Sequence, residues 1–491
     1  MIEKLRKKIL AFISSPKDVP LLAGFSIGIY MVLYYYSKNF GLANSWQQLL
    51  FFTTYYMLLP ITVIYAGYKF FSKAAFAVYK RHFLFVATIG FMGFYLLQLS
   101  FVGMPKKGIF IAFIVVVTAL SFKFKNYYKF FVLLILFLSL FNITPVLRMG
   151  YIAVTSSSEW KEQPDAITKI VFKETPNIYY IQPDGYTSFK NLRDSNHNFD
   201  NSAFESFLTQ NGFTLYDDYR SNYFSTLLSN TSMFSMKHHY LERNIDAYAA
   251  RGIIIGDNPV LDILKHNGYK THFVTEKPYL IINRPKMGYD DCNIDYFDMP
   301  FIKDGWDDNQ DLKVGLEDAM MSQQLGGNFY FIEKMLPGHI HGLKIYSEGA
   351  VKEKKIYLEA VKQANMWLTE TIRFIEQKDP DALIIIAADH GGFVGLDYTL
   401  QSLEHTHNKQ LVHAIFGAVA AIKWNSPVHT RYDERLKTSV NLFRTVFSFL
   451  ARDTKYLSNL QENGSYIHTQ KPAGNYRYID NEGKIVFDKI K

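Results

Sequence analysis

Asp381-Ala-Leu-Ile-Ile-Ile-Ala-Ala-Asp389-His390-Gly391-Gly392 is the stretch from which the fold of this chain is read. Ala382 to Ala388 is a short, unbroken apolar run rich in isoleucine, the pattern of a strand buried on both faces of a parallel sheet. It stops at a carboxylate, an imidazole and two glycines. In open α/β sheets, ligands bind just beyond the carboxyl ends of the strands. An Asp-His pair placed there can hold a divalent metal, and glycines let backbone and substrate approach closely. An ordinary strand-ending turn, its Asp capping the next helix, is the alternative that the remaining residues must separate from it.

The composition is that of a mosaic. Apolar residues make up 48% and aromatics 16% of the 491 residues, and mean hydropathy is −0.05. Nearly all the long apolar runs lie before residue 150. Five membrane spans are expected there, at about Pro20–Tyr36, Leu49–Phe71, Phe83–Val102, Gly108–Phe122 and Phe130–Leu147. Much of the +8 net charge sits in the connecting loops, which makes it a topology signal and argues against a nucleic-acid partner. Lys69, Lys73, Lys80 and Arg81 lie between spans two and three, and Lys123, Lys125 and Lys129 between four and five. Lys38 alone, and Lys106 with Lys107, occupy the other two loops. The positive-inside rule then puts the N-terminus in the cytoplasm and everything after Arg148 outside. Cys292 is the only cysteine, so no intramolecular disulfide can form.

Beyond the spans (1–149) a polar linker is expected over 150–175 and an outward-facing domain over 176–491. There, short apolar strands alternate with amphipathic helices, the pattern of a mainly parallel sheet in an α/β/α sandwich. Strands are expected at Asn177–Ile181, Thr271–Thr275, Asn328–Ile332 and Ala414–Ile422, and helices at Thr226–Leu241, Val351–Gln377 and Arg435–Leu450, among others.

The first of these strands also ends in an acid, Asp184-Gly185, and two strand-terminal acids of one sheet can share a crevice. Thr226, within Ser221-Asn-Tyr-Phe-Ser-Thr-Leu-Leu-Ser229, opens a helix whose N-terminal end favours anions. A hydroxyl there, beside a metal, can lose its proton and attack phosphorus; helix capping is the other use of such a residue. Pro337-Gly-His339-Ile-His341 follows another strand, and an imidazole there can bind or protonate a phosphate ester. His405, His407 and His413 form a later group, and His238-His239 reads as polar surface.

An acid after the first strand, a Thr opening a helix and a late Asp-His-Gly resemble the alkaline phosphatase and sulfatase superfamily. With the N-terminal spans, the chain is similar to its membrane-anchored branch, which includes lipoteichoic acid synthase, a phosphoglycerol transferase, and the phosphoethanolamine transferases. The resemblance implies metal ligation by Asp184, Thr226, Asp389 and His390, with Thr226 as nucleophile. It implies Mn²⁺ or Zn²⁺ as one or two ions. It places His339 at the substrate, in catalysis and binding, with His341, His405 and His407 as further substrate-binding candidates. Thr226-Leu-Leu-Ser229 has the spacing of the sulfatase Cys-x-Pro-Ser core with Thr in place of the modified Cys, which argues against a formylglycine sulfatase. Val440-Asn-Leu-Phe-Arg444 resembles a stretch of sulfatase-like envelope proteins. Two departures stand out: relatives of the phosphoethanolamine type carry disulfides, and Gly392-Phe-Val-Gly replaces a longer acidic motif. The implied function is transfer of a phospho-headgroup from a membrane phospholipid to an envelope glycan or polymer by an integral protein of the cell membrane. A hydrolase on the same scaffold and a catalytically inactive glycan-binding protein are the alternatives.

Overall fold

The computed structural model describes residues 2–101, 106–303, 305–306 and 309–490, so Val102, the expected end of the third span, lies outside the described residues. The chain divides into two compact units. The first is Met1–Thr155 together with Ile282–Arg284 and Met299–Gly305; the second is Ser156–Ile281, Pro285–Asp298 and Trp306–Lys491.

Among the described residues of the first unit four stretches are long and apolar enough to cross a membrane: Pro20–Leu42, Trp46–Phe71, Ala74–Ser100 and Lys107–Thr155. The fourth and fifth expected spans both fall in the last of these, which is broken by a tight turn at Lys125–Tyr127. Its two arms run in opposite directions. Ser121 Oγ lies 2.9 Å from His82 Nδ1 and Phe113 packs on Gly93, so the first arm is antiparallel to the Lys80–Ser100 helix. The Tyr128 hydroxyl accepts from Val19 N at 2.9 Å and Asn142 accepts from Ser37 at 3.0 Å, so the second arm runs parallel to Pro20–Asn39. Asp18 pairs with both Lys80 and Arg81 at 3.0 Å, which brings the starts of those two helices together. Four apolar stretches thus make five helical passes.

Aromatic rings fill the centre of this unit. Tyr35 packs on Phe52 at 4.1 Å between centroids, and Tyr56 meets Tyr95 edge-on at 4.9 Å. Such pairs contribute about 0.5–1.5 kcal/mol beyond their buried area. The two late segments belong here as well. Asn283 donates to Asn44 at 2.8 Å, Phe301 stacks on Phe51 at 4.2 Å, and Arg284 lies over the Phe301 ring at 3.8 Å.

The second unit is built on a seven-stranded sheet: β1 (Ile178–Pro183), β2 (Thr214–Leu215), β3 (Lys270–Thr275), β4 (Asp291–Cys292), β5 (Asn328–Lys334), β6 (Leu383–Ala387) and β7 (Ala420–Lys423). The order is β2-β7-β6-β1-β5-β3-β4. β1 pairs in parallel with β5 and β6, and β3 with β5 and β4; among these seven strands β7 alone is reversed, antiparallel to both β6 and β2. The isoleucine run is β6, buried throughout, and each isoleucine so buried contributes about 1.5–3 kcal/mol. The Thr226–Ser235 and Leu442–Leu450 helices cover the sheet face that carries Tyr180 and Phe331, through Phe234 and Phe443. On the other face the Tyr179 hydroxyl donates to Asp379, which ends the Ala350–Lys378 helix.

Several local expectations differ from the structure. Residues 156–175, read as a linker, fold back: Ile167 and Ile170 are buried, and Asp165 pairs with fully buried Arg444 at 2.7 Å. The expected strand Ala414–Ile422 is a helix, Lys409–Phe416, followed by β7. Asn408 caps that helix by accepting from Gln410 N and Leu411 N, a tertiary-context choice that β-branched residues alone do not signal. The expected Arg435–Leu450 helix narrows to Leu442–Leu450. The helix expected to reach Leu241 ends at Ser235, where Met236 turns left-handed (φ 49°). That turn folds His238 and His239 inward, so the reading of this pair as polar surface is wrong. Both are buried, with His239 stacked on Tyr223 at 3.9 Å. A three-stranded C-terminal sheet, β8 (Ser465–Gln470), β9 (Ala473–Ile479) and β10 (Ile485–Ile490), had no sequence expectation.

Candidate active site

Adjacent parallel strands carry their next residues to one place. Asp184 follows β1 and Asp389 lies two residues beyond β6, and Asp389 Oδ1 accepts from Gly185 N at 3.2 Å. The turn after Asp184 is tight: Gly185 has φ +64°, and a Cβ there would stand 2.2 Å from the Gly338 carbonyl oxygen. The buried Tyr357 hydroxyl fastens it, accepting from Thr187 N and donating to Gly185 O, both at 2.9 Å. Gly391 is equally confined, since a Cβ would lie 2.3 Å from Ala414 O.

Thr226 reaches this point from the opposite side. The strand-like approach to it is pinned on three sides: Ser221 N donates to Phe416 O, Asn222 donates to Gly464 O, and Val440 N donates to Asn222 Oδ1, all at 2.8 Å. Ser225 occupies the N-cap position with no side-chain cap bond, and Ser229 spends its hydroxyl on Tyr223 O. Neither hydroxyl flanking Thr226 caps the helix, and Thr226 itself points at the acids. Its Oγ1 donates toward Asp184 Oδ1 at 3.2 Å and lies 3.3 Å from His390 Nε2.

His390 Nδ1 sits 2.8 Å from Gly391 O, to which it can only donate. In that tautomer Nε2 presents a lone pair to the centre of the cluster. Nε2 is 3.8 Å from Asp184 Oδ1 and 3.4 Å from Asp389 Oδ2, and the latter oxygen is buried without a hydrogen bond. Burial raises the Asp389 carboxyl, with Asp184 adding and His390 opposing. Burial works to lower His390, but the charges of Asp389 and Asp184 outweigh it and raise it.

The donor set fits a divalent cation. Ligand atoms of Asp184, Asp389 and His390 lie within 4.8 Å of one another in a buried site, and Thr226 offers a single proton to all of them. Two carboxylates and an imidazole lone pair facing one another repel unless a positive charge stands between them.

The other predicted site residues separate into two groups. His339 adjoins the cluster, its ring centroid 5.9 Å from that of His390, with Nδ1 held by Ile340 O at 2.6 Å. His341 turns away and is bound through Nδ1 to both Glu353 oxygens at 3.0 Å. His405 and His407 lie on the C-terminal sheet, where His405 stacks on Tyr476 at 4.4 Å and bonds Tyr478 at 2.7 Å. The structure also shows a carboxyl that the motifs missed. Glu333, paired with Gln182 across β5 and β1, is fully buried and accepts from Thr275 at 2.8 Å. Burial holds it well above the usual carboxylate range, with Asp184 and Asp389 adding against the Thr275 hydrogen bond. A lone Glu ending the apolar run Asn328-Phe-Tyr-Phe-Ile-Glu was its one sequence signal.

No family model and no curated protein matches the sequence. Among solved structures, the chain is similar to the C-terminal periplasmic domain of EptC from Escherichia coli in complex with zinc, at 10% identity and a TM-score of 0.43 over 63% of this chain and 93% of that one. It is similar to the integral membrane lipooligosaccharide phosphoethanolamine transferase A of Neisseria meningitidis, at 12% identity and 0.39 over 90% and 95% of the two chains. It is also similar to the lipoteichoic acid synthase LtaP of Listeria monocytogenes, at 13% identity and 0.38 over 65% and 91%. Likenesses this loose carry no weight in assigning the residues, whose roles rest on the distances above. Phosphoethanolamine transferases and a lipoteichoic acid synthase, the enzymes that the motifs resemble, are thus among the solved structures to which this chain is similar.

Proposed function

We propose that this chain is a membrane-anchored phosphotransferase that moves a phospholipid-derived headgroup to an envelope glycan or polymer through a phospho-threonine at Thr226. The observation that carries this is the convergence of the Thr226 hydroxyl on Asp184 and His390, 3.2 and 3.3 Å away, at the carboxyl ends of β1 and β6. Asp184, Thr226, Asp389 and His390 would hold Mn²⁺ or Zn²⁺, which when bound lowers the pKa of the hydroxyl and polarises the phosphoryl oxygens. Thr226 Oγ1 attacks the headgroup phosphorus, its proton passing to one of the two acceptors it already faces. The bond from phosphorus to the lipid oxygen breaks, and His339, whose ring adjoins His390, would supply the proton to that oxygen. An acceptor hydroxyl then attacks the phospho-threonine and restores Thr226.

Five apolar passes support a donor drawn from the bilayer. The cluster of Lys80, Arg81, Lys125 and Lys129 at one end of the bundle supports a cytoplasmic N-terminus, with the catalytic unit outside, periplasmic or extracellular. The test is intact mass of the full chain in detergent after incubation with phospholipids and Mn²⁺ or Zn²⁺. A headgroup-phosphate adduct on the wild type and none on Thr226→Ala is expected. Equal adducts on both proteins, or none on either, would overturn the proposal.

A further inference from the structure

The first unit contains a cavity of about 270 Å³ between the last turns of the Pro20–Asn39 and Lys80–Ser100 helices. Its walls are of two kinds: Leu96, Leu99 and Ile302 are aliphatic, whereas Lys38, Asn39 and Lys303 are polar or cationic. The level of the cavity follows from the helices. Both begin beside Asp18, so their C-terminal turns lie at the far end of the bundle from Lys80, Arg81 and Lys129. A helix of 20 residues rises about 30 Å, the thickness of a bilayer's hydrocarbon core. The cavity therefore lies where the headgroups of the second leaflet stand, an interfacial depth at which two lysines beside leucines cost little.

We infer that this cavity binds the headgroup of a glycerophospholipid, with Lys38 and Lys303 against the phosphate and the aliphatic wall along the glycerol. The volume falls just below the range of pockets for drug-sized ligands, about 300–1,000 Å³. It admits a headgroup and leaves the acyl chains in the bilayer. A basic side chain near a membrane surface contributes about 1 kcal/mol toward an anionic group. One wall comes from far along the sequence. Ile302 and Lys303 are held there by Phe301 stacked on Phe51 and by Arg284, which lies on Phe301 and donates to Met299 O. The cavity thus requires the Met299–Lys303 stretch as well as the bundle. The inference deepens the proposed transfer reaction and rests on it for the purpose of the lipid, but binding requires no chemistry at Thr226.

The experiment is native mass spectrometry of the full chain in detergent with dioleoyl phosphatidylethanolamine, dioleoyl phosphatidylglycerol or dioleoylglycerol as probe. Wild type and Thr226→Ala are expected to retain one phospholipid and no dioleoylglycerol. The Lys38→Glu/Lys303→Glu double variant is expected to bind about tenfold or more weakly. Equal retention by the double variant, or retention of dioleoylglycerol as strong as that of phospholipid, would overturn the inference. Should the double variant not fold, a photoreactive phosphatidylethanolamine on the wild type replaces it. Crosslinks in peptides containing Lys38 or Ile302–Lys303 support the site, and crosslinks confined to other peptides reject it. Phospholipid binding without any adduct on Thr226 would reject the transfer reaction and leave the cavity assignment standing.

Discussion

The Thr226 hydroxyl lies 3.2 Å from Asp184 Oδ1, across 42 residues of sequence and from the opposite wall of the crevice. Two consequences follow for substitution. Thr226→Ala removes the attacking oxygen and is expected to lower headgroup transfer by roughly 10⁴-fold or more. Thr226→Ser keeps the oxygen but loses the methyl group that restricts its rotamer, so partial activity should survive. Transfer of a labelled headgroup, measured on the full chain, checks both.

Asp389 is held in a site that disfavours its charge when no cation is bound. Asp389→Asn is therefore expected to raise the melting temperature of chelator-treated protein by a few degrees, about 1 kcal/mol or less. The same change should abolish tight metal binding, read by elemental analysis after dialysis. A lower melting temperature in the metal-free state would show that the carboxylate has a stabilising partner.

Arg444 is fully buried and pairs with Asp165 at 2.7 Å, with Gln163 and Tyr456 O as further acceptors. Asp165→Ala would leave the guanidinium without its counter-charge, at an expected loss of about 3–5 kcal/mol. Arg444→Met with Asp165→Leu, which removes both charges, should recover much of that loss. Urea denaturation of the three proteins decides between them.

Burial lowers His238 to about 4 and His239 to about 3, against the ordinary histidine value of 6.5. Their folded-state values are depressed, so below pH 6.5 the unfolded chain binds protons that the native chain does not. The stability they contribute is complete above pH 6.5 and is lost as pH falls toward 4. Melting temperature should fall across that window, and His239→Gln should shallow the slope. An unchanged slope would place the acid sensitivity elsewhere.

Gly185→Ala puts a methyl group 2.2 Å from the Gly338 carbonyl oxygen at a φ of +64°. The Asp184 turn must shift to admit it, which is expected to cost about 1–3 kcal/mol and to displace a metal ligand. A metal titration on the folded variant should show weaker binding than on the wild type.

The core of the site was legible in linear order because its signals are local. An apolar isoleucine run that stops at Asp389-His390 marks a buried strand and its carboxyl end, Asp184 ends another such run, and Thr226 opens a hydroxyl-rich helix. Apolar length likewise marked the bundle, and Lys123, Lys125 and Lys129 already divided Lys107–Thr155 into two spans, whose opposite directions the contacts show. Histidine surroundings were legible only in part. His339 and His341 are two residues apart, yet one adjoins His390 and the other is held by Glu353, twelve residues on along another element. His238 and His239 were taken for surface because nothing local announces the left-handed turn at Met236. Arg444 gains its meaning from Asp165, a partner that only the packing of distant segments brings to it. A strand, a span or a strand-ending acid follows from neighbours in sequence. Burial, tautomer and charge pairing follow from which surfaces the folded chain excludes from water.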